Sequence, residues 1–195
     1  MSDILFIRHG PTEWNETGRI QGRTNVPLSE AGRVEVASWV LPLPYQRWHC
    51  FSSPLVRARD TAALLRFPEP TIINDLQEMQ WGGWEGHSLK TLRETDPEAF
   101  ARNENRGLDF RPPNGESPRD VRDRLGQWIA SLSDDDLPAV VVCHKGLLRA
   151  ALSIATDWDM IDDPPEKLRE PCAHLYEVRT GTLFVKQLNI ALKGC

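Results

Sequence analysis

The sequence has no apolar stretch long enough to span a bilayer, because every apolar run in its 195 residues is far too short for that. The N-terminal segment, residues 1–7, also lacks the basic region and the long apolar run of a signal peptide. These absences predict a cytoplasmic protein that does not bind membranes. A chain of this length is expected to form one domain, residues 1–195, around one core.

The sequence also lacks an excess of positive charge, since the formal net charge is −5 and the arginines are dispersed along the chain. Proteins that bind nucleic acids usually carry a basic patch or stripe, so no nucleic-acid partner is expected. If the ligand is an anion, it must be held by local groups.

The four cysteines form no Cys-x-x-Cys pair and show no zinc-type spacing with histidine. This argues against a metal knuckle and against a disulfide framework. Of the four, Cys50, Cys143, Cys172 and Cys195, the first two are interpreted as buried thiols at strand ends. The acidic stretch 157–163 has no companion set of metal ligands, so it is interpreted as a solvated loop.

Short continuous apolar runs predict strands that are buried on both faces of a parallel sheet. These runs are Ile4 to Ile7, Trp48 to Phe51 and Ala139 to Cys143. Two further strands, His174 to Val178 and Leu183 to Leu188, are separated by a turn that is typical of a hairpin.

Helical patterns lie between the predicted strands. The predicted helices run from a Ser29 cap to Val40, from Pro54 at the first helical position to about Arg66, from Ser117-Pro118 onward, and from Gly146 to Thr156. The first is expected to bury Ala31, Val34, Ala37 and Val40. This alternation predicts a three-layer α/β/α sandwich with a mostly parallel central sheet.

A charged segment with several prolines, at about residues 90–116, does not fit the alternation. It is interpreted as a small inserted lid, a kind of segment that more often determines specificity than chemistry. Its arginines, Arg102, Arg106 and Arg111, are expected either to face an anionic ligand or to form a solvated surface.

Polar residues that suit an anion follow three of the predicted strands. Arg8 and His9 follow the first, Arg57 comes shortly after the second, and His144 and Lys145 follow the run that ends at Cys143. Ligands of open α/β sheets bind beyond the carboxyl ends of the strands, so these side chains are expected to converge. The planar fork of arginine matches a tetrahedral phosphate, which makes the site a predicted phosphate pocket.

The same residues carry a resemblance to a known family. Arg8-His9-Gly10, the run Ser53 to Ala62 and His144 resemble the histidine phosphatase (phosphoglycerate mutase-like) superfamily, in particular its compact bacterial phosphatases. Segments 18–29, 76–86 and 113–117 are also similar to segments of that family. The resemblance therefore spans almost the whole chain, and it is more specific than the Arg-His-Gly triplet alone.

The resemblance implies a phosphomonoesterase that hydrolyses a small phosphorylated metabolite through a phosphohistidine, with no cofactor and no metal. His9 would be the nucleophile, Glu78 the proton donor, and His144 a stabiliser of the transferring group. The substrate-binding residues that it implies are Arg8, Asn15, Gln21, Gly22, Arg57 and Lys145.

Two alternative functions remain open at this point. One is a mutase that moves phosphate between hydroxyls of phosphoglycerate, although residues 90–116 look short for the mutases of this family. The other is a non-catalytic phosphate-binding module. Lys145 stands where the family commonly has glycine, and its ammonium group is expected either to contact a second anionic group or to point to solvent. The chain is expected to be a monomer or a homodimer.

Overall fold

The computed structural model describes residues 2–192, so Cys195 lies outside the described residues. The strands are β1 (Ser2–Arg8), β2 (His49–Ser52), β3 (Thr71–Ile72), β4 (Ala139–Cys143), β5 (Cys172–Arg179) and β6 (Thr182–Ala191). The α-helices are α1 (Glu13–Glu16), α2 (Glu30–Ala37), α3 (Val56–Leu64), α4 (Leu89–Thr95), α5 (Pro97–Glu104), α6 (Pro118–Ser131) and α7 (Lys145–Thr156).

The six strands form one sheet in the order β3-β2-β4-β1-β5-β6. Strands β3, β2, β4 and β1 are parallel, and β5 runs antiparallel to both of its neighbours. Arg8 of β1 lies opposite Cys143 of β4, and Ser52 of β2 lies opposite Val142. The carboxyl ends of these three strands therefore meet at one edge of the sheet, which places the residues that follow them side by side.

Helices cover both faces of the sheet. Ile4 and Phe6 belong to a core that includes α6 and α7, whereas Leu5 and Ile7 belong to one that includes α2 and α3. All four side chains are fully buried, as the continuous apolar run predicted. The three-layer α/β/α sandwich is confirmed, and Cys50 and Cys143 are buried thiols as expected.

Side-chain caps begin two of the predicted helices. The Ser29 hydroxyl accepts a hydrogen bond from the Gly32 amide, and the Ser117 hydroxyl accepts one from the Asp120 amide. Pro118 occupies the first turn of α6, where its missing N–H leaves no partner unsatisfied. Both of these starts were predicted from the sequence.

The buried stripe predicted for α2 was wrong. Val34 is 67% exposed and Val40 is 55% exposed and lies beyond the end of the helix, whereas Gly32 and Val36 are buried. A Cβ atom at Gly32 would lie 2.1 Å from the Pro11 carbonyl oxygen, so this helix approaches its neighbour through its bare backbone. That approach, and not the spacing of apolar side chains, determines which face is inward.

The start predicted for α3 was also wrong. The helix begins at Val56 and not at Pro54, and its N-cap Leu55 has an extended backbone. The Ser53 hydroxyl accepts a hydrogen bond from the Leu55 amide at 3.3 Å, which stabilises the bend that precedes the helix.

The segment 90–116 contains most of α4, all of α5 and a short 3₁₀ turn at Gly107–Asp109. Its aromatic side chains pack against the loop that precedes it: Phe100 stacks on Trp84 at 5.2 Å between ring centroids, and Phe110 contacts Trp81 edge-on at 5.6 Å. Within residues 2–192, no helix is long and apolar enough to cross a membrane.

Candidate active site

His9 lies directly after β1 and is almost completely buried. Its Nδ1 atom is 2.7 Å from the Gly10 carbonyl oxygen. Because a carbonyl oxygen only accepts, Nδ1 must carry the proton, and Nε2 of the neutral ring keeps a free lone pair. Burial lowers the pKa of His9 well below its usual value, and the charges of Arg8 and Arg57 lower it further. The ring is therefore neutral at physiological pH, with the lone pair of Nε2 unprotonated.

His144 is the N-cap of α7 and is fully buried, with its ring centroid 5.2 Å from that of His9. Its Nε2 lies 2.8 Å from the Ser53 hydroxyl. Burial lowers the pKa of His144 well below its usual value, with further lowering from His9 and Arg57. Since Ser53 already accepts from the Leu55 amide, its hydroxyl proton is free to donate to Nε2. The ring proton then lies on Nδ1, which is buried and has no hydrogen-bond partner among the described residues.

Arg57 is fully buried on α3. Its Nη1 and Nη2 atoms donate to the carbonyl oxygens of Thr24 and Gly22 at 2.8 and 2.7 Å, while Nε is buried and finds no acceptor within residues 2–192. Burial lowers the pKa of Arg57 to about 10, against a raising effect of Glu78, so the guanidinium stays charged at neutral pH. The Gly22 carbonyl therefore positions Arg57.

Arg8 is anchored in a similar way. Its Nη1 pairs with the carboxylate of Glu170, which lies two residues before β5. Its Nε is buried and has no partner in the part of the chain that the structure describes. Nε of Arg8, Nε of Arg57 and Nδ1 of His144 are thus three buried donors at neighbouring strand ends. Buried donors are nearly always satisfied in native proteins, so three together indicate a site shaped for an absent acceptor such as a tetrahedral anion.

The carboxylate of Glu78 is held at the start of α7. It accepts hydrogen bonds from the Met79 amide at 2.8 Å and from the Gly146 amide at 3.1 Å. A Cβ atom at Gly146 would lie 2.3 Å from Oε1 of Glu78, so only glycine leaves room for this contact. The contact places a carboxylate from a distant loop at the first turn of α7, which His144 caps.

The neighbouring carboxylate Glu85 has a different environment. It accepts hydrogen bonds from the backbone amides of Arg23, Thr24 and Trp81. Because those bonds fix a loop, Glu85 has a structural role, whereas Glu78 lines the cavity described below.

A network that the sequence did not reveal supports the Glu78 loop. Arg23 and Arg124 both donate to the backbone carbonyl of Glu78 at 3.3 Å, and both also pair with the carboxylate of Glu116. Two cations on one carboxylate hold the loop against α6.

A cavity of about 660 Å³ opens at this edge of the sheet. It is lined by every predicted site residue except the fully buried His144, namely Arg8, His9, Asn15, Gln21, Gly22, Arg57, Glu78 and Lys145. Oδ1 of Asn15 accepts from Thr12 in a capping box, and Oε1 of Gln21 is buried with no donor from the described residues. Lys145 is exposed, and no described residue forms a hydrogen bond or ion pair with its ammonium group.

The outer wall contains residues that the sequence analysis missed, Arg149 and Met160–Pro164 among them. The stretch 157–163 is a largely exposed loop, as predicted, but it also forms part of the cavity lining, which the sequence analysis did not foresee. Trp158 is buried in this loop, donates from Nε1 to the Asp162 carbonyl at 3.0 Å and lies under the guanidinium of Arg149. A tryptophan inside an acidic stretch was the signal available in the sequence.

The arginines of the segment 90–116 that were singled out do not line this cavity. Arg102 pairs with Glu98, and Arg111 pairs with Asp120. They form a solvated surface, the second of the two expectations. Among residues 2–192, no group of three or more His, Cys, Asp or Glu side chains is placed to hold a metal ion.

Comparison with known proteins connects this geometry to a family. The chain is 31% identical to a metal-independent phosphoserine phosphatase of Arabidopsis thaliana, over 77% of this chain and 67% of that protein. It is also 31% identical to a 2,3-bisphosphoglycerate-dependent phosphoglycerate mutase of Gloeobacter violaceus, over 78% of this chain and 74% of that protein. It spans only 44% of the length of three mycobacterial relatives that are 34% identical to it.

Among solved structures, a mycobacterial glucosyl-3-phosphoglycerate phosphatase in complex with VO3 superposes with a TM-score of 0.81 at 25% identity, and all of both chains is covered. A family model, described as histidine phosphatase superfamily (branch 1), matches residues 4–190. The chain therefore belongs to the histidine phosphatase superfamily.

Proposed function

We propose that the protein is a phosphomonoesterase that hydrolyses a small phosphorylated metabolite through a phosphohistidine at His9, without a metal ion. The observation that carries the proposal is the neutral His9, with its Nε2 lone pair free, beside three buried donors that lack an acceptor. The relatives support it, because two of them are phosphatases of phosphorylated metabolites and one of these is described as metal-independent.

In the first step, Nε2 of His9 attacks phosphorus and the bond between phosphorus and the ester oxygen breaks. Protonated Glu78 gives its proton to the leaving oxygen. Arg8 and Arg57, with the Nδ1–H of His144, hold the equatorial oxygens as charge builds on them. The products are an alcohol, a phosphorylated His9 and an ionised Glu78.

In the second step, Glu78 takes a proton from water, whose oxygen attacks phosphorus as the bond between nitrogen and phosphorus breaks. This releases inorganic phosphate and restores both the His9 lone pair and the Glu78 proton. Asn15, Gln21, Gly22 and Lys145 are proposed substrate contacts, which their position in the cavity wall supports.

The second candidate is a phosphoglycerate mutase, favoured by the mutase among the relatives. It would share the first step and differ in the acceptor, which would be a sugar-acid hydroxyl in place of water. Hydrolysis is preferred because residues 90–116 form only short helices and a turn beside the cavity.

Three further parts of the proposal concern the whole chain. Leu89, Arg93, Glu104 and Phe110 line the cavity, which supports a lid function for about residues 90–116 within a single domain. The cytoplasmic location and the monomeric or homodimeric state remain predictions from the sequence.

The test measures phosphate release from p-nitrophenyl phosphate, phosphoserine and 3-phosphoglycerate by wild type, His9→Ala and the control His49→Ala, whose side chain is exposed. We expect release by wild type and by the control, and a loss of about 10⁴-fold or more in kcat for His9→Ala. Interconversion of phosphoglycerates without net release would instead support the mutase. Phosphate binding without turnover would support a non-catalytic module.

A further inference from the structure

The cavity lining contains a guanidinium that has no acceptor among residues 2–192. Arg149 lies one helical turn after Lys145 on α7, and both side chains line the cavity that contains His9. The Arg149 guanidinium lies 4.6 Å from the centroid of the Trp158 ring. Among residues 2–192, no side-chain or backbone acceptor forms a hydrogen bond with it.

This placement is half-buried. Burial lowers the pKa of Arg149, because the charged form loses part of its solvation. Stacking on Trp158 offsets part of that loss and leaves the N–H donors in the plane of the guanidinium open to the cavity, where no described residue accepts a hydrogen bond from them. A carboxylate satisfies two parallel donors at once, which makes it the natural partner for such a group.

The charged side chains that line the cavity outside the proposed phosphate site also favour an anionic ligand. Arg93 and Glu104 pair with each other and cancel. Of the other charged groups there, Arg19, Lys145 and Arg149 are cations, Asp162 and Asp163 are anions, and none of the five side chains forms an ion pair with a described residue. One positive charge remains in excess, which suits a leaving group that carries one negative charge.

The helix also fixes the separation between this site and the phosphate. Along α7, Arg149 is about 7.5 Å from the N-cap His144. A small substrate whose phosphoryl group lies at His9 can span a separation of this size.

We propose that Arg149 and Lys145 form a second-anion subsite, so that the preferred substrates are phosphomonoesters whose leaving group carries a carboxylate. The inference rests on the proposed phosphatase function. It gives Lys145 a partner and a role, and it makes Trp158 the platform that positions Arg149.

The test compares kcat/KM for 3-phosphoglycerate and glycerol 3-phosphate, which differ only in a carboxylate against a hydroxymethyl group. Wild type is expected to prefer the carboxylate ester by tenfold or more. Arg149→Met keeps an unbranched stem over Trp158 and is expected to reduce that preference at least tenfold. Arg149→Lys, which keeps the charge but not the fork, is expected to retain part of it.

The control is Arg102→Met, since Arg102 lies outside the cavity and is expected to show the wild-type preference. Equal losses on both esters in the two Arg149 variants would show that Arg149 only packs on Trp158 and would overturn the inference. Equal efficiency of wild type on both esters would also overturn it while leaving the phosphatase proposal intact. Absence of phosphate release from both esters and from p-nitrophenyl phosphate would overturn the two together.

Discussion

The two arginines of this site each use some of their N–H donors to bind protein groups and keep other donors unbound. Arg57 donates through both terminal nitrogens to backbone carbonyls, and Arg8 donates through Nη1 to Glu170. In Arg8 this leaves the edge formed by Nε and Nη2 free, which is an edge that binds an oxyanion through two parallel hydrogen bonds. Glu170 is therefore a positioning residue for Arg8 that makes no contact of its own with the proposed phosphate.

Removing this anchor is expected to weaken phosphate binding. We predict that Glu170→Ala lowers kcat/KM three- to tenfold, because Arg8 gains rotational freedom and loses its alignment, and that Glu170→Gln recovers part of the loss by supplying an acceptor oxygen. Steady-state kinetics with p-nitrophenyl phosphate measure this effect. Glu166→Gln, in the same loop but bonded to Asn189, is the control. A rise in kcat/KM would show instead that Glu170 competes with phosphate for Arg8.

The origin of each contact explains which site residues the sequence could predict. Arg8, His9 and His144 directly follow predicted strands, so a correct sheet was enough to bring them together. Ser53 and Glu170 act through contacts with residues 91 and 162 positions away, and neither has a pattern of its own. Pairings of that kind depend on the folded arrangement of loops, which local periodicity does not encode.

At the scale of elements, α7 organises both ends of the cavity. Its N-cap is His144, its first turn gives the Gly146 amide to Glu78, and its second turn carries Arg149. The helix is amphipathic and packs against β1 and α6, so these three groups have a fixed spacing. A rigid element of this kind positions functional groups better than a loop does.

A methyl group at Gly146 is expected to separate activity from stability. In Gly146→Ala, the new Cβ meets the end of the flexible Glu78 side chain, which can move away, and alanine favours the helix. We predict a fall in kcat of about tenfold or more with a thermal midpoint close to wild type, because the carboxylate leaves its amide donors.

The matched control is Gly126→Ala on α6, where the nearest heavy atom to a new Cβ is Ile154 Cδ1 at 4.0 Å. It is expected to keep the wild-type kcat. If Gly146→Ala unfolds the protein, or keeps full kcat, then Glu78 is not held as we describe.

Elements with a strong apolar pattern were predicted well. Elements whose inward face is determined by a close backbone contact were not. The runs of β1 and β4 are fully buried in the centre of the sheet, so their composition alone was informative. In α2 the inward face is determined by Gly32, which contributes no apolar side chain to any periodicity. Strand β3 has only two residues and gives no pattern at all.

At the scale of the whole molecule, three histidines are buried in a neutral state. Burial lowers the pKa values of His9 and His144 well below the usual value and that of His174 to about 4. In the unfolded chain, all three bind a proton near pH 6.5. Folding therefore excludes up to three protons between pH 6.5 and the lowered pKa values.

This difference in proton binding predicts that the free energy of unfolding decreases when the pH falls into the mildly acidic range. The stabilising contribution is complete above about pH 6.5 and decreases as the pH falls, because protons then bind the unfolded state more strongly. Each histidine is expected to contribute a slope of up to about 1.4 kcal/mol per pH unit.

Urea unfolding at several pH values between 4.5 and 7.5 measures the total slope. In His174→Asn the slope should fall by about one proton. A free energy of unfolding that stays constant across this range would show that the histidines are charged or exposed in the native protein.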